Sequence, residues 1–310
     1  MIGGRRCAPR RLLCAGCLLM IVTAAGCSTA SSDISGSSRV IRVAAAENFW
    51  GSIANQLGGK HAQVSSIITN PNTDPHSYEP TANDARTIAS ARLVIENGAG
   101  YDPWVSRLVA ADQGQRIAVL NVGSALGVPA GDNPHRWYNP ADVKAVINIL
   151  AAQYSKLDPA DKNYFARRRA LFLKVGLRKY NDLIAEIKAK YAGTPVGASE
   201  SIFAMMAKPL GLKLLTPPTF LRAISEGTEV SAADKQTIHR QISHHLIKIY
   251  IFNSQNVTPD VRAQLAAAMA AHIPVASITE TLSPPTVTFQ AWQVRQLKGI
   301  RDALARASKV

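Results

Sequence analysis

The segment from Pro159 to about Tyr191 constrains the fold more than any other feature of the chain. Phe165, Phe172, Tyr180, Leu183 and Ile187 recur close to the 3.6-residue helical period. Asp158-Pro159 supplies a capping residue followed by a proline suited to a first turn, and Gly193 and Pro195 end the run. At ~1.5 Å per residue such a helix reaches roughly 45 Å, enough to cross a whole lobe. On either side the chain alternates short β-rich runs with helical ones. Upstream come "RVIRVAAA", "AQVSSIIT", "RLVIENG" and "RIAVLNV", with helical patterns between them, including "NFWGSIANQLG". Downstream the pattern restarts with "PVGAS", "LKLLTP", "IKIYIFN" and "PVASIT", the helical stretch "SIFAMMAKPLG" falling between the first two, and a last helix spans about Thr286 to Ala307. This alternation predicts an α/β fold of two βα lobes with mostly parallel sheets, joined by one long backbone helix. The expected division is 39–158 for the first lobe, 159–192 for the helix and 193–310 for the second lobe.

The first 26 residues do not belong to that pattern. Arg5, Arg6, Arg10 and Arg11 precede an apolar run from Leu12 to Ala25, then Gly26-Cys27. A basic start, a short apolar run and small residues at the break are expected of a secretory signal, and the run is short for a membrane span of ~20 residues. All four cysteines (Cys7, Cys14, Cys17 and Cys27) fall at or before position 27, so no disulfide framework is expected beyond it. Ala24-Ala25-Gly26-Cys27 resembles a bacterial lipobox, which would make Cys27 the lipidated residue. Ser28 to Ser38 would then be a flexible tether (27–38 with the cysteine). The formal charge of +14 raises the question of a polyanionic partner. Four of those charges lie in the signal, and Arg167, Arg168, Arg169, Lys174, Arg178 and Lys179 fall on the long helix as a solvated face. Export and scattered charge argue against nucleic acid.

Two of the seven histidines stand out. His76 lies in "NPNTDPHSYEPTAND" and His135 in "GDNPHRWYNP", and both are preceded by Asp/Asn-Pro and followed by a helix. Proline fixes φ and stiffens each approach, so the pair reads as two presented imidazoles. His239, His244 and His245 suit the end of a helix, while His61 and His272 fall in ordinary connections. Sites in parallel βα architecture form beyond the C-terminal strand ends. There the second lobe offers Glu200 after "PVGAS" and Glu280 after "PVASIT". Either could simply be a helix N-terminal carboxylate. With His76 and His135 they compose a set of two imidazoles and two carboxylates, two from each lobe.

"DPHSYEPTAND" resembles the signature loop of the metal-binding lipoproteins of zinc and manganese ABC importers, the cluster A-I solute-binding proteins. "VAAAENFWGSIANQLGG" and "ARLVIENGAGYDPWVSRL" resemble that family's first units, and "NPHRWYNP" its second ligand loop. "SESIFAMMAKPLGL" resembles the third ligand segment, carrying Ser199-Glu200, and "SITETLSP" the last, carrying Glu280 where the family has Asp. The resemblance implies a metal site of His76, His135, Glu200 and Glu280, and partnership with a permease and its cytoplasmic ATPase. It also implies anchorage at the outer face of the cytoplasmic membrane. A monomer is expected.

Two imidazoles with two carboxylates suit Mn²⁺ or Fe²⁺ better than an all-nitrogen set would, and Zn²⁺ also takes these donors and tends to win on affinity. Zinc-type relatives often carry a His- and Asp-rich insert before the second ligand loop, and "VGSALGVPAGDNPH" has none. The expected activity is capture and delivery of a divalent metal, not catalysis. Two alternatives are a surface adhesin with a structural metal and a secreted metallohydrolase. The sequence has no HExxH motif to support the latter.

Overall fold

A computed structural model of the chain describes residues 40–73, 75, 77–111, 116–129 and 131–309. The expected signal, tether and Cys27 lie outside the described residues, as do Asp74 and His76.

The first sheet contains β1 (Ile41–Glu47), β2 (Ala62–Ile68), β3 (Leu93–Glu96) and β4 (Ala118–Asn121), all parallel in the order β2-β1-β3-β4. Between and after them run α1 (Asn48–Gly58), α2 (Ala82–Ala89), α3 (Pro103–Ala111), α4 (Val122–Ala125) and α5 (Pro140–Leu157). β1 is covered on both faces, as a central parallel strand must be. Its Ile41, Val43 and Ala45 join Phe49, Trp50 and Trp137, while Ala44 and Ala46 join Ile68, Ile88 and Trp104. Caps fix where the helices start. Thr81 and Asp84 form a reciprocal capping box at α2, and Asn139 accepts from Ala141 N–H at α5 with Pro140 in the first turn.

The long helical segment is present but not uniform. A 3₁₀ turn (Pro159–Asp161) leads into α6 (Lys162–Leu171), followed by a π-helical turn (Phe172–Gly176) and then α7 (Arg178–Tyr191). The π turn has a basis in the spacing of the apolar residues. Phe165 and Phe172 are seven apart, but Tyr180 follows after eight, and a wider turn absorbs the extra residue. All five apolar residues named from the sequence are buried. The uniform helix implied by the sequence is therefore corrected to a helix with one internal π turn.

The second sheet repeats the first: β5 (Pro195–Ala198), β6 (Lys213–Leu214), β7 (Ile249–Asn253) and β8 (Val275–Ile278), parallel in the order β6-β5-β7-β8. Its helices are α8 (Ala204–Ala207), α9 (Pro218–Ser225), α10 (Ala232–Ser243), α11 (Pro259–Ala270) and α12 (Phe289–Ala307). Two expectations change here. "SIFAMMAKPLG" is a 3₁₀ turn plus the four-residue α8, because Pro209 has no N–H to continue the ladder. α9 is an additional helix in which Pro218 occupies the first turn instead of breaking the chain.

One apolar core runs from β1 and α1 through α5, Phe172 and Tyr180 to β5, β7 and α12. In both sheets the order of strands reverses about the first strand, so β1/β3 and β5/β7 flank the crevice where parallel sheets bind ligands. β1 ends on Glu47, β3 on Glu96 and β7 on Asn253, while Glu200 and Glu280 lie two residues beyond β5 and β8. Among the described residues no helix is long and apolar enough to cross a membrane.

Candidate metal centre

His135 sits in the connection before α5, at the start of the 3₁₀ turn Arg136–Tyr138, and is fully buried. Pro134 is held by Asn97, whose Nδ2 donates to its carbonyl at 2.9 Å. The ring orientation follows from Asn133. That side chain donates through Nδ2 to the Ser201 carbonyl (2.7 Å) and accepts His135 N–H at Oδ1 (3.1 Å). Its Oδ1 also lies 2.9 Å from His135 Nδ1. Because Oδ1 can only accept, Nδ1 carries the proton, which leaves Nε2 as the ring nitrogen with a lone pair to offer a cation.

Nε2 faces two carboxylates from the second sheet. Glu280 Oε1 is 3.2 Å away and Glu200 Oε1 3.9 Å away. The exposures of Glu200 and Glu280 are 1% and 4%. One ligand atom from each of the three residues lies within 4.8 Å of the other two. Burying two carboxylates beside one imidazole is expensive unless a cation joins them. The set therefore suits a divalent ion in charge, in donor type and in spacing. Of the four residues named from the sequence, the structure brings three together, and the fourth, His76, lies outside the described residues.

Several neighbours were not anticipated. Asn253 Nδ2 donates to Glu200 Oε2 at 2.7 Å and to Glu280 Oε2 at 3.3 Å. Tyr101 donates its hydroxyl to Glu280 Oε1 at 2.9 Å. Burial first, then the Glu280 charge, pushes this phenol well above its ordinary range, so it remains a donor. Ser225 Oγ donates to Glu200 Oε1 at 3.2 Å and lies 2.6 Å from Ser201 Oγ. The strand-end rule that selected Glu200 and Glu280 also selects Asn253, the last residue of "IYIFN"; its neutral amide hid it. Ser225 was missed together with α9.

Aromatic rings wall the centre on the side of the first sheet. Phe49 stacks on Trp137 with centroids 3.8 Å apart, and Trp137 packs edge-on to His135 at 5.2 Å. A cavity of about 300 Å³ beside the centre is lined by Gly100, Asn133, Ser201, Arg222 and Ser225. Hydrogen bonds join the two sheets around the site: Leu282 N–H to Asn48 Oδ1 (3.0 Å), Phe289 N–H to Ser52 Oγ (2.9 Å), and a reciprocal amide pair between Gln56 and Gln290.

A further set of acids lies in the first sheet. Asp102 accepts from the backbone of Asn97 (2.6 Å) and Gly98 (2.8 Å), yet burial raises it to about 6. Glu47 is fully buried beside Asp102, and burial followed by the Asp102 charge and a hydrogen bond to Asp102 holds it well above the carboxylate range. His61, expected in an ordinary connection, has Asp161 Oδ2 2.9 Å and Asp158 Oδ2 3.9 Å from its Nδ1. The three are spaced so that they could hold a cation, and these contacts tie the start of the long helix to the turn that follows α1. Thr81 and Asp84 make the helix start after the first proline-rich loop, where Glu79 is exposed.

The architecture agrees with comparisons to known proteins. The family description "Zinc-uptake complex component A periplasmic" (ZnuA) matches residues 43–303. The metal ABC transporter substrate-binding lipoprotein ScbA of Streptococcus cristatus is 26% identical over 212 residues, covering 62% of this chain and 66% of its own length. The chain thus spans just under two thirds of that relative. The high-affinity zinc uptake system protein ZnuA of Bacillus subtilis (strain 168) is 23% identical over 290 residues, covering 87% of this chain and 88% of its own. The solved structure of the solute-binding protein FpvC from Pseudomonas aeruginosa in complex with Mn²⁺ superposes with a TM-score of 0.70 at 20% identity, covering 87% of this chain and 100% of that one, which shows the shared fold. With two parallel sheets, a connecting helix and a match over residues 43–303, this chain belongs to the ZnuA family of zinc-uptake complex component A.

Proposed function

We propose that this chain is the extracytoplasmic binding component of an ABC importer that captures a divalent transition metal between its two sheets. The metal is Zn²⁺ or Mn²⁺, with Fe²⁺ also within the donor chemistry. His135 Nε2 and one oxygen each of Glu200 and Glu280 are the ligands, with His76 from the first proline-rich loop as the fourth. The observation that carries this reading is the buried convergence of His135, Glu200 and Glu280 from both sheets within 4.8 Å.

Capture works by charge and closure. The carboxylates neutralise the dication, His135 is held in the required tautomer by Asn133, and the aromatic wall excludes water. Ligands divided between the sheets make the cation a bridge, so binding favours the closed arrangement. Four protein ligands leave no open position for a reactive water, in contrast to hydrolytic zinc sites. Residues 1–26 act as the export signal, Cys27 carries the lipid anchor and 27–38 form the tether. The monomer sits at the outer face of the cytoplasmic membrane and delivers the metal to a permease coupled to its ATPase.

Growth of a deletion strain in chelator-treated medium tests this role. Growth should fail, recover with added Zn²⁺ or Mn²⁺, and be restored by the wild-type gene but not by His135→Ala. Normal growth with loss of surface attachment would overturn transport in favour of an adhesin.

A further inference from the structure

The two carboxylates of the centre each have one oxygen on either side of a dividing line. Both Oε1 atoms face His135 Nε2, at 3.2 Å for Glu280 and 3.9 Å for Glu200. Both Oε2 atoms face Asn253 Nδ2, at 3.3 Å for Glu280 and 2.7 Å for Glu200. The amide and the imidazole thus grip opposite ends of the carboxylate pair. The amide cannot turn over freely: its Oδ1 accepts Gln255 N–H at 3.0 Å, and its own backbone N–H donates to Ser199 Oγ at 3.0 Å. Asn253 is fully buried at the end of β7. An amide NH₂ has two hydrogens, so it can serve both oxygens at once.

We propose that Asn253 sets the coordination number of the captured cation by holding Oε2 of Glu200 and of Glu280, so that each carboxylate gives the metal only Oε1. This inference rests on the capture reading above. Two monodentate carboxylates and two imidazoles make a four-coordinate site. Tetrahedral N/O coordination suits Zn²⁺, whereas Mn²⁺ favours higher coordination that carboxylates supply by binding through both oxygens. Asn253 therefore acts as a specificity-determining positioning residue that disfavours Mn²⁺ relative to Zn²⁺ without touching the metal.

Co²⁺ reports coordination directly, because tetrahedral cobalt absorbs visible light far more strongly than six-coordinate cobalt. The metal-free chain is titrated with Co²⁺ alone, and the same is done with Asn253→Leu, which has the same branching and number of side-chain heavy atoms and no donors. The wild type should give the intense tetrahedral spectrum. The variant should bind Co²⁺ with the weaker five- or six-coordinate spectrum, and its Zn²⁺-over-Mn²⁺ affinity ratio should fall at least tenfold. A weak six-coordinate spectrum from the wild type overturns the inference, and this measurement stands even if the variant fails to fold. An unchanged spectrum and ratio in a folded variant overturn it as well, while leaving metal capture intact. Failure of the wild type to take up Co²⁺, Zn²⁺ or Mn²⁺ overturns the capture reading and this inference with it.

Discussion

Replacing Tyr101 by Phe removes one hydroxyl and leaves the ring where it packs, 5.9 Å from His135 and 5.1 Å from Trp137 between centroids. The lost bond is the 2.9 Å donation to Glu280 Oε1. A buried hydrogen bond to a charged acceptor is worth about 1.5–3 kcal/mol, so the metal-free protein should lose about 2 kcal/mol. At 2–4 °C per kcal/mol for a body of this size, Tm should fall by roughly 4–8 °C. With metal bound, the same oxygen is neutralised by the cation, and the missing bond costs only about 1 kcal/mol. The difference of about 1 kcal/mol must appear as affinity, so the variant should bind metal roughly five-fold tighter. Thermal unfolding in chelator and in saturating metal, with a competitive titration alongside, reads both quantities. An unchanged metal-free Tm, or binding weakened tenfold, would refute the idea that Tyr101 and the metal share Glu280 Oε1.

Other consequences concern the supporting structure. Trp137→Ala removes a fully buried ring stacked on Phe49 and should cost about 3–5 kcal/mol in urea unfolding of the metal-free chain; a loss below 1 kcal/mol would mean the aromatic wall does not support the centre. Gly58→Ala would put a methyl 2.3 Å from Ala62 Cβ, where α1 meets β2, and should destabilise by about 1–3 kcal/mol. A pH series should expose the buried acids. Asp102, raised to about 6, and Glu47, held well above its ordinary value, keep protons that the unfolded chain releases near pH 4. Their stabilisation is therefore full below about pH 4 and lost as pH rises through the raised values, up to roughly 3 kcal/mol for Asp102 as pH passes 6. Glu47→Gln should flatten that slope, and a slope that stays the same would contradict the raised Glu47.

Much of this architecture is written locally in the chain. Short β-rich runs alternating with amphipathic ones specify parallel βα units, and Thr81, Asn139 and Thr288 mark helix starts because their side chains cap the first turn. The buried cluster was legible where residue chemistry and strand-end position coincide, as at Glu200 and Glu280, or where proline stiffens a loop, as at His135. What escaped depends on tertiary context. No local pattern singled out α9, yet Pro218 lies at its start with Phe220, Leu221 and Ile224 packed into the core. The π turn depends on one extra residue between Phe172 and Tyr180, visible in the spacing only once their common face is known. Asn253, Tyr101 and Ser225 draw their roles from the carboxylates they meet, and no local pattern announces such meetings. His61 likewise gained its acidic partners, Asp158 and Asp161, from some hundred residues downstream.

The central claim is that one divalent cation is held by His135, Glu200, Glu280 and His76. Titration of the chelator-stripped protein with Zn²⁺ and Mn²⁺ tests it most directly, alongside His76→Ala, His135→Ala and Glu200→Ala variants verified as folded by circular dichroism. The expected result is one metal per chain, with affinity lowered by orders of magnitude in each variant. A stoichiometry other than one, or wild-type affinity in the His135 and Glu200 variants, would contradict it.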